Sequence, residues 1–491
     1  MPPPGDSAAT FPRRFLRPGV LLVAIVILTA FRPGDAPWIN DEPILMEMAI
    51  RYNHTASDIY GFDLPFTPCP YGLEGTRGAR YGPLPVWVDQ IFLGFTSNIV
   101  AMVACRAMLF SGLTALGVAS LARTLRLSPW FAVVTMCSPW LWIFSRSLWD
   151  STWCIPLCAI LFASYAAFLA KPAASSMCLT LLSGILLPLV HLTAVAMVLP
   201  VAVHLLIVHH RSVWRWKWRL GAIVLVCLYL FHPYLIFFVS HTRPKVPDEQ
   251  PELPGWFFPL LGGHYLTLGL GGATLCDGWQ DAAPKLLLSL AFIARWISWM
   301  AIPMVWLGTG LAIRHIRDRG VKENLGLIAV GVCICQTCLD GVMRVYLNLN
   351  YYAATWIVYA FFAWIAVDWL LSRSKQAVLI VKQLIAIYTA SILSGIGIIA
   401  VVVARNGGTR GIHYGTSVAN QVYAVRTVQQ FSDLSSVDIE IPQWQLYPRA
   451  YQVLLELSPP PTGPRPERRL IVKYRDAFPG DARIEVVAKS P

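Results

Sequence analysis

Val20-Leu-Leu-Val-Ala-Ile-Val-Ile-Leu-Thr-Ala-Phe31 is an unbroken apolar run that Arg32-Pro33-Gly34 terminates, and Asn40-Asp41-Glu42 follows soon after. Arg13, Arg14 and Arg17 precede the run, as basic residues precede the core of a signal peptide. No small-residue cleavage site follows Phe31, so the run reads as an uncleaved first membrane span, rather short, with Arg17 snorkelling at its end. A span that hands over directly to a pair of carboxylates sets the pattern for the rest of the chain.

Of the 491 residues, 56% are hydrophobic and only 13% charged. A soluble domain carries about 25% charged residues. Most of the chain therefore has no water-facing side to decorate, and its length reads as spans of roughly 20 residues each. Apolar runs predict about eleven of them, near residues 15–32, 104–122, 129–145, 152–170, 176–189, 192–209, 219–240, 286–312, 324–342, 353–371 and 379–404. Only Pro188 to His191 separates the fifth from the sixth, which also reads as one broken helix.

The net charge of +12 lies in short clusters between the runs: Arg123/Arg126, Lys171, Arg211/Arg215/Lys217/Arg219, Arg314/Arg317/Arg319/Lys322 and Arg373/Lys375. With eleven spans, all of them share a side with the N-terminus, and the positive-inside rule makes that side cytoplasmic. No basic module with interleaved aromatics appears, so nucleic acid is not an expected partner.

The opposite side then carries two long loops and a tail. In the first loop, about 32–103, Asp41 to Tyr52 and Pro83 to Phe95 read as interfacial helices. Trp87, Ile91 and Phe95 recur at spacing four, an apolar stripe that lies flat on a membrane. The second loop, about 241–285, is rich in Pro and Gly. The tail from Arg405 to Pro491 predicts a helix near Thr416–Phe431, strands at Val437–Ile441 and Arg469–Tyr474, and a proline-rich linker at Ser458–Pro466. The expected fold is an all-α polytopic membrane domain over 1–404 and a small α+β extracytoplasmic segment over 405–491.

Most of the eleven cysteines sit inside apolar runs, where Cys333, Cys335 and Cys338 read as small apolar filler rather than a ligand cluster. Cys69 and Cys276 fall in polar loops and could form a disulfide. Asn53-His54-Thr55 is a glycosylation sequon, a weak signal by itself.

Candidate chemistry gathers in the outer loops. Asp41 and Glu42 open a helix, where carboxylates complement the macrodipole and cap it. The functional alternative is a general base, or an oxygen ligand for a divalent cation (Mg, Mn or Zn), at the membrane surface. Tyr81-Gly82-Pro83-Leu84-Pro85-Val86-Trp87 is a turn with an aromatic-belt residue. In Ser145-Arg146-Ser147-Leu148-Trp149-Asp150, Arg146 and Asp150 stand at i, i+4 and either pair with each other or split, with Asp150 facing Asp41's cavity and Arg146 holding an anion. Arg106 and His191 are ionisable residues near span ends, candidates by default. Arg344, Asn348, Asn350, Tyr351 and Tyr352, with His264 and Tyr265, suit phosphate or sugar hydroxyls, while Asp340 reads as a partner of Arg344 at i, i+4.

Taken together, these features resemble the GT-C fold, and in particular the bacterial dolichyl-phosphate-mannose–protein mannosyltransferase-like family (glycosyltransferase family 39 and its aminoarabinose transferase cousins). The resemblance rests on the short first span, the first loop opening on Asp41-Glu42, the Tyr81–Trp87 stretch, Arg106, Ser145–Asp150, His191-Leu192-Thr193 and Asn350-Tyr351-Tyr352. It covers roughly residues 15–400. The family usually has Lys or another small polar motif where this chain has Tyr81-Gly82.

The resemblance implies transfer of a sugar from a polyprenyl-phosphate donor to a glycan, lipid or protein acceptor, with inversion, on the outer face of a bacterial inner membrane. Asp41 is then the expected base, with Glu42 and Asp150 as further catalytic carboxylates or as metal ligands. Arg146, Arg344, Tyr81, His191, His264, Tyr351 and Tyr352 are the expected donor-phosphate and substrate contacts. A lipid or sugar transporter would instead place its ionisable residues near the bilayer midplane. A glycan ligase or polymerase would share most features and differ in acceptor.

Overall fold

The computed structural model describes residues 11–38, 41–53, 68–74, 80–241, 285–343 except 317 and 319, 352–408 except 374, 415–431, 437–440, 447–457, 469–475, 477 and 481–488. Helices dominate. They are α1 (Phe11–Thr29), α2 (Glu42–Asn53), α3 (Leu84–Leu93), α4 (Ile99–Thr124), α5 (Trp130–Met136), α6 (Pro139–Phe144), α7 (Cys154–Ala170), α8 (Ala174–Val190), α9 (Val195–Val208), α10 (His210–Arg215) and α11 (Lys217–His241). There follow α12 (Lys285–Ser298), α13 (Ala301–Arg314), α14 (Val321–Met343), α15 (Trp356–Leu371), α16 (Lys375–Asn406), α17 (Val418–Phe431) and α18 (Tyr447–Leu457).

Among the described residues six helical stretches are long and apolar enough to cross a membrane: Ile99–Thr124, Ser151–Ala170, Lys217–His241, Lys285–Arg314, Val321–Leu339 and Val378–Asn406. Shorter apolar helices accompany them at Pro18–Thr29, Leu84–Leu93, Ala174–Val190, Leu192–Val208 and Trp356–Leu371. This is the architecture of a multi-pass membrane protein. Its outward faces are apolar as a bilayer requires: Leu225, Ile236 and Val239 on α11 are exposed.

The apolar run at 129–145 is not one helix. Ser138 is extended (φ −56°, ψ 132°) and the chain restarts at Pro139, dividing the run into α5 and α6. Proline lacks the N–H that would continue the ladder and disfavours helix in the residue before it. The fifth and sixth runs are a hairpin rather than one broken helix. His191 is extended between them, and a Cβ on Gly184 would lie 3.7 Å from Val198 Cγ1, the two positions being equidistant from His191.

Close backbone approach holds the bundle. A Cβ on Gly308 of α13 would lie 1.7 Å from the Phe362 carbonyl oxygen of α15, and one on Gly117 of α4 would lie 2.8 Å from Ala159 Cβ of α7. In hydrocarbon the hydrophobic effect gives no drive between helices, so contact over small residues replaces it.

Cross-contacts sort the helix ends. Thr29, Phe31 and Arg146 meet, as do Ala36 and Val418, Arg106 and Trp149, and Trp356 and Ile155. The end of α1, the starts of α4, α7 and α15, and the end of α16 therefore share one end of the bundle. At the other end Phe168 packs on His209 and Trp216, and Lys322 pairs with Asp368 at 2.6 Å. Arg123, Lys171, Arg215, Arg314 and Arg373 fall at helix termini of that second end.

The tail matches its expected helix and first two strands closely: α17, β1 (Val437–Ile439) and β2 (Leu470–Tyr474). It also contains α18 and β3 (Ile484–Ala488), which were not expected. The three strands form a sheet in the order β1-β2-β3, parallel between β1 and β2 and antiparallel between β2 and β3. This segment is not a detached appendage. Val418, Val425, Val453 and Leu470 share one apolar core with Trp38, Leu45, Met46 and Ile50 of the first loop. Val418 N donates to Ala36 O at 3.0 Å and Gln421 Nε2 to Trp38 O at 2.8 Å.

Candidate active site

Helices form at both stretches expected to be interfacial, α2 and α3. Ile91 and Phe95 are exposed, 49% and 83%, while Val86, Asp89 and Gln90 are buried. Ile91 and Phe95 of the stripe face outward, and Asp89 and Gln90 lie inward on the other side of the helix. Trp87 stacks on Phe231 of α11 with ring centroids 4.8 Å apart and donates through Nε1 to Cys69 O at 2.8 Å. Cys69 is a free buried thiol, and Cys276 lies outside the described residues.

Inward of α3, Arg106 Nη1 donates to Asp89 Oδ1 at 2.8 Å, with both side chains buried. The same guanidinium donates to Trp149 O at 2.9 Å and lies 5.3 Å from the Trp153 ring. Arg106 thus ties α3 to α4 and to the turn before α7. That turn carries Asp150, whose Oδ1 accepts from Ser151 N while Oδ2 is buried without a hydrogen bond among the described residues. Burial pushes the Asp150 carboxyl up to about 8, and the charge of Asp41 adds to the rise; the Arg106 charge opposes it.

Asp41 stands at the N-cap of α2, where its carbonyl accepts from Leu45 N at 2.9 Å. Its carboxylate accepts no hydrogen bond among the described residues. Burial pushes it up to about 6. Glu42, next in sequence, points elsewhere: it is buried and accepts from Ser147 Oγ at 3.1 Å.

Asp41 opens into a cavity of about 380 Å³. Its polar wall includes Arg51, Arg80, Glu74 and Arg449, and Tyr52 and Tyr71 supply aromatic surface. Arg80 pairs with Glu74 at 2.8 Å and lies 5.3 Å from the Tyr71 ring. Arg449, from the tail, pairs with Glu47 of α2, so the C-terminal segment contributes to the cavity directly.

Tyr81 and His191 also come together, with ring centroids 4.3 Å apart. Gly82 permits this, since a Cβ there would lie 2.0 Å from the Leu189 carbonyl oxygen. His191 Nδ1 meets Thr193 Oγ1 at 2.7 Å, and burial drives its imidazole down to about 3, the neutral form.

The structure therefore brings Asp41, Glu42 and Asp150 to one region and packs Tyr81 against His191 with the rings tilted by 37°. Arg146 points elsewhere: its Nε donates to Thr29 O at 2.9 Å and its Nη2 to Phe31 O at 2.6 Å, covering carbonyls at the end of α1. Tyr352 is buried in the bundle core. Arg344, His264, Tyr351, Asn348, Asn350 and Tyr265 lie outside the described residues, as does the second loop.

No three His, Cys, Asp or Glu side chains among the described residues gather as a metal would need. Glu42, one of the two expected ligands, is turned to Ser147.

Sequence reasoning missed Asp89, Arg80 and Arg449. The signal for Asp89 was present: a carboxylate on the face of α3 opposite its apolar stripe needs a buried cation, and Arg106 is the first in the next helix. No family model and no curated protein matches the chain.

Proposed function

We propose that this chain is a GT-C-type membrane glycosyltransferase that moves a sugar from a polyprenyl phosphate to an acceptor hydroxyl on a glycan, lipid or protein. The observation that carries the reading is Asp41: a desolvated carboxylate without a hydrogen bond among the described residues, facing a cavity lined by Arg51, by Arg80 paired with Glu74 and by Arg449 paired with Glu47. A base poised near neutrality is best placed to take a proton. With its carboxyl at about 6, Asp41 is mostly ionised at pH 7, while Asp150 at about 8 is mostly protonated.

In the proposed step the acceptor oxygen attacks the anomeric carbon and Asp41 takes its proton. The bond from that carbon to the phosphate oxygen breaks, and the lipid phosphate leaves with the electron pair, inverting the centre. The transition state is oxocarbenium-like and is stabilised by nearby negative charge. Arg80, Arg51 and Arg449 are the cations lining the cavity for the developing phosphate charge. Arg106 acts behind them, holding the Asp150 turn in place.

The membrane frame of the proposal has eleven spans. Six are the long helices, four are α1, α8, α9 and α15, and one is the broken pair α5 and α6; α3 lies in the interface. The basic helix ends then face the cytoplasm of a bacterial inner membrane, and the Asp41 cavity and tail face outward. Purified protein in vesicles, supplied with radiolabelled polyprenyl-phosphate sugars and a cell-envelope acceptor fraction, is expected to move label into the acceptor and release polyprenyl phosphate. Movement of the intact labelled lipid across the bilayer without sugar transfer would support the transporter instead.

A further inference from the structure

A second cavity, of about 690 Å³, lies between α1 and α16 and shares no lining residue with the Asp41 cavity. Its walls are two apolar rows. On α16, Leu393, Gly397, Val401 and Arg405 follow at spacing four, and all are exposed. On α1, Ile25 and Leu28 lead to Arg32 one turn on. Met136, Cys137 and Trp142 contribute from α5, the break and α6. Each row runs along hydrocarbon and ends in an arginine at the same end of the bundle.

The mouth is cationic. Arg32, Arg146 and Arg405 line it against one carboxylate, Asp35, which Arg32 pairs at 2.8 Å. Arg32 is also held in the left-handed region (φ 52°), a conformation that glycine adopts more cheaply. Gly397 opens on empty space, with nothing within 4 Å of a Cβ built there. An apolar trough topped by excess positive charge at interface height matches an amphiphile with an anionic head.

We propose that this groove binds one anionic glycerophospholipid, with its phosphate between Arg32 and Arg405 and its acyl chains along the two rows. The choice of a non-reacting lipid over the sugar donor rests on the Asp41 cavity being the site of transfer. The shared chemistry is a phosphate on a long apolar chain, and the headgroup and chain type separate the two sources.

The test is native mass spectrometry of the full chain, delipidated in detergent and titrated with dioleoyl phosphatidylglycerol, dioleoyl phosphatidylcholine or undecaprenyl phosphate. The wild type is expected to retain one phosphatidylglycerol in preference to either other lipid. Gly397→Leu fills the trough and is expected to lose that lipid. The Arg32→Gln, Arg405→Gln double variant removes the charge without entering the bundle. It is expected to bind phosphatidylglycerol roughly thirtyfold more weakly, each interfacial arginine contributing about fivefold. Equal retention by the wild type and the double variant, or no preference over phosphatidylcholine, would overturn the site. Preferential retention of undecaprenyl phosphate would overturn the choice of occupant, whatever the outcome of transfer assays.

Discussion

Arg106 and Asp89 form a buried ion pair, 2.8 Å from Nη1 to Oδ1, that joins the interfacial helix α3 to the membrane helix α4. Breaking such a pair leaves an uncompensated buried charge and costs about 3–5 kcal/mol, whereas replacing both partners with apolar groups is often neutral. Arg106→Met is therefore expected to lower the thermal midpoint in detergent strongly, and Arg106→Met with Asp89→Leu to recover much of the loss. A double variant no more stable than the single one would show that Arg106's bond to the Trp149 carbonyl matters more than the pair.

The two raised carboxyls, Asp41 and Asp150, make stability fall with rising pH; the neutral His191 works the opposite way below its ordinary 6.5, so the net fall is expected above about pH 7. Asp41 and Asp150 titrate at about 6 and about 8 in the folded protein, against 3.8 for an ordinary aspartate. Between these values the folded protein keeps protons that the unfolded chain has released, so stability present in acid is lost as pH rises through 6 and then 8. Asp150→Asn is expected to flatten the upper part of this fall in thermal midpoints measured from pH 5 to 9. In the same range, transfer should rise as pH passes about 6 and Asp41 ionises.

Gly308→Ala should be among the most damaging single substitutions in the bundle. Its Cβ would lie 1.7 Å from the Phe362 carbonyl oxygen, and backbone on both sides leaves no flexible group to give way. The expected result is loss of the monodisperse peak in size-exclusion chromatography. Gly112→Ala is the control, since nothing lies within 4 Å of its Cβ position.

Topology can be read from the tail. Tyr423 is 63% exposed on α17, and Tyr423→Cys should react with a membrane-impermeant maleimide added to intact cells. Labelling only after lysis would reverse the orientation of the bundle and take the Asp41 cavity to the cytoplasm.

Local pattern made the helices legible, because a span needs only a continuous apolar run and an interfacial helix only a periodic stripe such as Trp87, Ile91 and Phe95. The break at Ser138-Pro139 was written in the sequence but is masked by the apolar residues around it. What was not legible is long-range packing. Arg146 reads as an anion binder until its donors are seen on Thr29 and Phe31, more than a hundred residues away. Likewise Arg449 reaches the cavity because the tail shares a core with α2, a contact that no periodicity announces.

The central claim is that Asp41 accepts the proton in sugar transfer. Its most direct test is the rate of label transfer from a polyprenyl-phosphate sugar by Asp41→Asn protein, purified and shown by size exclusion to be folded. The amide keeps the size and removes the base, and transfer is expected to fall by about 10²–10⁴-fold with the thermal midpoint preserved. Transfer at the wild-type rate by folded Asp41→Asn protein would contradict the assignment.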